Sequence, residues 1–78
     1  MTVAVITGDD HETSHFLNLF RRNQPKATYV GILCLKDVEK KTFDEIWVCG
    51  TFAGRMGGAE LLRAARHVSR PDVTVRFY

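Results

Sequence analysis

"KDVEKKTFD", residues 36–44, joins two apolar runs, "ATYVGILCL" (27–35) and "EIWVCG" (45–50), and its route decides the fold. As a hairpin turn it would make those runs antiparallel neighbours. As a crossover it makes them parallel, with another strand between them. A crossover usually takes about a dozen residues, so the link is short for that role. The apolar runs argue the other way. Residues 2–7 ("TVAVIT"), 27–35 and 45–50 are apolar on both faces. That is the mark of parallel strands covered on both sides, whereas a sheet with one wet face alternates. Only "DVTVRFY" (72–78) alternates, setting Val73, Val75 and Phe77 against Thr74, Arg76 and Tyr78. It reads as a half-exposed edge strand.

Between the strands the period changes. Asp9 and Glu12 have capping-box spacing, with Asp in place of Ser or Thr. Phe16, Leu17 and Phe20 then share one face of a helix running to about Arg22, which Asn23 and Pro25 end. Leu61, Leu62, Ala65 and Val68 recur at helical spacing before Pro71. Within the link, Val38 and Phe43 are expected to face inward. The order is β-α-β-connector-β-α-β. It predicts an α/β, minimal Rossmann-like three-layer domain with a parallel four-stranded sheet in order 2-1-3-4. The alternative is an antiparallel ferredoxin-like β-α-β-β-α-β sheet with both helices on one face.

Seventy-eight residues form a single domain, 1–78. Cys34 and Cys49 lie inside apolar runs, where cysteine acts as a small buried hydrophobe. Two such residues make no secreted disulfide framework, and no signal peptide precedes Val3. The apolar runs fall short of a membrane span. The expected setting is soluble, reducing and cytoplasmic. Net charge is +2, with Asp9, Asp10 and Glu12 early and Arg55, Arg63, Arg66, Arg70 and Arg76 late. So small a core invites support. Tyr29, Val30, Ile32, Leu33 and Leu35 on an outer strand predict self-association as a homodimer.

In an open parallel sheet, ligands bind beyond the carboxyl ends of the strands where neighbouring connections diverge. In order 2-1-3-4 that point lies between the first and third strands. Two distinctive segments meet there, "GDDHETSH" (8–15) and "VCGTFAGRMGG" (48–58). The glycines of the second allow close approach of backbone N–H groups to an anion ahead of a helix. Gly50, Thr51, Gly54 and Arg55 are the candidate holders of a phosphate-bearing small molecule, with the cofactor itself unspecified. Read structurally, the same glycines permit a tight strand-to-helix turn.

"VCGTFAGRMG" contains C-x5-R, and it resembles the phosphate loop of cysteine phosphatases and rhodanese-like domains. That resemblance implies a thiolate nucleophile at Cys49 and an oxyanion-binding arginine at Arg55, with Asp9 or Asp10 as proton donor. "GTFAGRMGGAE" also resembles the glycine-rich phosphate loop of Rossmann-like nucleotide-processing proteins. "HETSH" is similar to the zinc-protease pentapeptide. There His11 and His15 would share a metal while Glu12 acts on bound water. The third histidine, His67, belongs to the other helix. The reading carried forward is a capped helix start with two exposed imidazoles and at most weak zinc binding.

Arg63, Arg66 and Arg70 form a basic stripe without interleaved aromatics, the pattern of a solvated helix face more than a nucleic-acid groove. Three functions remain open. The first is an anion-binding module, not a stand-alone enzyme. The second is a protein-interaction module, an adaptor or inhibitor, using the basic stripe and the edge strand ending in Phe77 and Tyr78. The third is a C-x5-R enzyme.

Overall fold

The computed structural model describes residues 1–34, 43–55, 63 and 73–78. In chain order these form β1 (Thr2–Ile6), α1 (Asp10–Asn23), β2 (Thr28–Ile32), β3 (Glu45–Val48), α2 (Gly50–Arg55) and β4 (Thr74–Phe77). All strands are parallel, in the order β2-β1-β3-β4. β1 lies between β2 and β3, which run parallel, so the hairpin alternative is excluded for the link that joins them. Its residues 35–42 lie outside the described part, Val38 included. Phe43 at its end is buried, as its apolar character required.

The topology sets the layers. Crossovers are right-handed, and β1→β2 and β3→β4 travel in opposite directions across the sheet, so their helices belong on opposite faces. The packing agrees. Phe16, Leu17 and Phe20 of α1 join Val3, Val5, Tyr29, Trp47 and Cys49. Phe52 of α2 packs on Ala4, Ile6, Ile46, Val48, Phe43 and Val73. Central strands thus lose water on both faces, which is why their sequences do not alternate. Among the described residues, no helix is long and apolar enough to cross a membrane.

The α1 boundaries follow from its ends. Asp9 is the N-cap, and its carboxylate accepts the N–H of Glu12 at 2.8 Å. At the other end Gln24 donates to the Phe20 carbonyl at 2.8 Å, ahead of Pro25.

Three expectations change. The second strand stops at Ile32 instead of residue 35, and the chain bends there, leaving Cys34 exposed instead of buried. The glycine-rich segment, expected as a loop ahead of a helix, is already helix over Gly50–Arg55, and its residues 56–58 lie outside the described part. On the outer strand, Tyr29 and Ile32 are only 5% and 6% exposed within a single chain. The patch behind the self-association expectation shrinks to exposed Leu33 and half-buried Val30, with Leu35 outside the described residues.

Candidate functional site

The ends of β1 and β3 lie side by side, joined by a bond from the Cys49 N–H to the Ile6 carbonyl at 2.8 Å. The two turns that follow meet at one side chain, Glu12. Its Oε2 accepts the Gly8 N–H at 2.9 Å and the Thr51 hydroxyl at 2.9 Å. Its Oε1 accepts the Thr51 N–H at 2.9 Å. A capping box would send this carboxylate back to the N-cap amide. Here it reaches the amide one residue earlier and the first turn of α2 as well.

The glycines make this junction fit. A Cβ on Gly8 would collide with the Thr51 hydroxyl. Gly50 has φ +62°, and a Cβ there would sit 2.6 Å from Glu12 Oε1. Only glycine adopts that backbone without strain. The N–H of Gly50 donates to the Tyr78 carbonyl at 3.3 Å, tying the start of α2 to the end of β4. Gly54 lies past the first turn, whose N–H groups alone are left over by the helical ladder. Of Arg55 the backbone is described, as the last residue of α2. The donors expected to greet a phosphate, on Gly50 and Thr51, are thus engaged by a carbonyl and a carboxylate of the chain itself.

Cys49 sits beneath this junction and is fully buried, with its Sγ 3.6 Å from the Trp47 carbonyl. Burial, and then the nearby Glu12 charge, push its thiol up to about 12. A nucleophilic cysteine needs the opposite environment, electropositive and partly open. Near neutral pH, iodoacetamide should therefore alkylate exposed Cys34 in the native protein and reach Cys49 only on unfolding. Mass spectrometry of tryptic peptides checks this, and fast native labelling of Cys49 would restore the thiolate reading.

The pentapeptide is spread over the first turns of α1. His11 and His15 are exposed, and the His15 ring meets Phe16 edge-on at 5.3 Å. Glu12, which the metalloprotease resemblance would place on a metal-bound water, is bonded to Gly8 and Thr51 instead. Asp9 caps the helix, and Asp10 is exposed in its first turn. Among the described residues no three of His, Cys, Asp or Glu converge. His67, Arg66 and Arg70 lie outside the described residues, and Arg63 is exposed.

A second locale was not assembled from the sequence. Trp47 on β3 packs against Phe20 (4.7 Å between ring centres, interplanar angle 86°), Tyr29 (5.6 Å) and Tyr78 (5.2 Å). Its indole N–H donates to Glu45 Oε1 at 3.0 Å, and the same oxygen accepts from Arg76 Nε at 2.8 Å. The Tyr29 hydroxyl donates to the Gln24 carbonyl at 3.1 Å. Trp47 and Tyr29 are buried, whereas Tyr78 is 51% and its neighbour Phe77 44% exposed. Tyr78, expected to point outward, instead lies against Trp47 while keeping half its surface open. Alternation along β4 was the available signal, but it names a face without naming the neighbours.

The chain matches no known family model, and no curated protein or solved structure shows a significant match to it.

Proposed function

We propose that this chain is a small protein–protein interaction module, an adaptor or inhibitor, working through the β4 edge and the aromatic side chains beside it. The carrying observation is that Phe77 and Tyr78 are 44% and 51% exposed at the end of a strand that, among the described residues, pairs on one side only. An unpaired edge is a template for a partner strand. Trp, Tyr and Arg are the residues that dominate binding energy at protein interfaces. Here Trp47 and Arg76 are held by one carboxylate, so Tyr78 rests on a rigid base. Photo-crosslinking residues placed singly at Phe77 and Tyr78 should form discrete adducts with the same protein in native lysate. The same probe at Asp10, at the far end of α1, should not. Equal labelling from all three positions would overturn the reading.

A second reading has its own support. Glu12 is itself a carboxylate held by the groups an anionic ligand would use. A phosphate-bearing molecule would replace it on Thr51, with Gly50, Gly54 and Arg55 nearby. Because Glu12, Asp9 and Asp10 put negative charge at that place, the amides of Gly8 and Gly50–Arg55 should stay unmoved in millimolar phosphate, ATP or NAD. Saturable shifts there in NMR spectra would return the anion-binding reading to first place.

A further inference from the structure

We infer that the cleft between the last turns of α1 and the aromatic side chains of β2, β3 and β4 docks an acidic segment of another protein, anchored by one apolar side chain. This rests on the interaction reading and gives it a partner chemistry. The cleft holds about 210 Å³ and is lined by Leu19, Phe20, Asn23, Tyr29, Trp47 and Tyr78. Pockets for small molecules run roughly 300–1,000 Å³, so this one suits a single side chain. Beside it a second hollow of about 460 Å³ reaches past Asn23 and Gln24 to Pro25 and Lys26. Together they make a track longer than one residue. Asn23, exposed and common to both hollows, carries an amide suited to the backbone of an extended segment.

Charge selects the occupant. The last turn of α1 carries Arg21 and Arg22, Lys26 follows, and all three are exposed. Leu19, Arg22 and Asn23 share one helical face at spacings of three and four. On the other side Arg76, 56% exposed, flanks Trp47 with its charge balanced by their common partner Glu45, so the basic rim is that of α1 and Lys26. The acidic residues Asp10 and Glu12 belong to the first turn of the same helix, roughly 15 Å away at 1.5 Å per residue. An acidic segment is thus drawn to one end of α1 and repelled from the other. A nucleic-acid strand would also meet the basic rim, but it needs open ring faces on which bases stack. Phe20, Tyr29 and Trp47 are 6%, 5% and 4% exposed and offer none, which leaves the half-open ring of Tyr78 as a single platform where a strand of bases needs several. The favoured partner is a peptide.

Trp47 is the sole tryptophan, so its emission reports directly on the cleft. The probe is a short tryptophan-free peptide of Asp and Glu with one central leucine. It should change Trp47 emission saturably and bind less tightly as salt rises. Replacing its leucine by serine should weaken binding at least about tenfold, because the cleft then loses its one buried apolar anchor. Arg22→Glu with Lys26→Glu, both exposed and so expected to leave the amide spectrum native, should weaken it by at least as much. Equal binding of the serine peptide, or of a lysine-rich peptide with the same leucine, overturns the inference. So does tighter binding of a single-stranded oligonucleotide, or no response to the acidic peptide at millimolar concentration. Crosslinks from Phe77 and Tyr78 with no response to the acidic peptide would overturn this inference and leave the interaction reading standing.

Discussion

Trp47→Ala should destabilise the protein by about 3–5 kcal/mol, the usual cost of deleting a buried aromatic side chain. A small domain has only about 5–15 kcal/mol in total, so the variant should lose a large share of its stability. The size of the effect follows from the neighbours. Trp47 is 4% exposed and fills the space among Phe20, Tyr29 and Tyr78. It is fed by α1, β2 and the end of β4 at once, so its removal loosens three elements together. Trp47→Phe keeps a ring but loses the indole donor to Glu45, whose bond to Arg76 survives. That variant should cost less. Urea denaturation measures both. A loss under about 1 kcal/mol for Trp47→Ala would mean the aromatic cluster collapses freely and is no scaffold for a docking surface.

The second large effect belongs to Glu12. Glu12→Ala removes the acceptor for the Gly8 N–H, the Thr51 N–H and the Thr51 hydroxyl, while Asp9 can still cap the helix through its own carboxylate. Hydrogen bonds to a charged group contribute about 1.5–3 kcal/mol each when sheltered. The Thr51 donors lie at the surface, where water replaces part of the loss, so the expected net cost is about 2–3 kcal/mol. Glu12→Gln should cost nearly as much, because its amide group would set a donor against a donor on one side of the junction. Hydrogen exchange adds a local readout, with the Gly8 and Thr51 amides exchanging faster in both variants. Titrating Glu12→Ala with phosphate then separates two meanings of the junction. Saturable shifts at Thr51 would show that the donors take an external anion once the carboxylate has gone. An unresponsive Thr51 would assign Glu12 to holding the two turns together.

The parallel sheet was legible because it follows from short-range composition. Val3, Ala4, Val5 and Ile6 must all be buried, and consecutive strand residues point to opposite faces, so both faces must be covered. That requirement outweighed the shortness of the link at 36–44. The site was legible only in part. Its place between the ends of β1 and β3 follows from strand order, and the glycines of the second loop, Gly50 among them, announced a close approach. What approaches was not legible. Glu12 looked like a capping-box partner or the glutamate of a metal motif. Its actual donors include Thr51, 39 residues along the chain, and no local pattern connects the two.

Sequence by itself thus favoured the layer count and strand order, with a hairpin at 36–44 still open, and placed α1, because burial on one or two faces is written in the spacing of neighbouring residues. Tertiary structure alone decided that the anion beside Thr51 belongs to the chain, that of two cysteines in apolar runs Cys34 is exposed while burial beside Glu12 pushes the Cys49 thiol up, and that Phe20, Tyr29, Trp47 and Tyr78 converge. Each of these depends on where separate elements come to rest in space. Side-chain reach and local dielectric are properties of that arrangement, and residue spacing along the chain does not encode them.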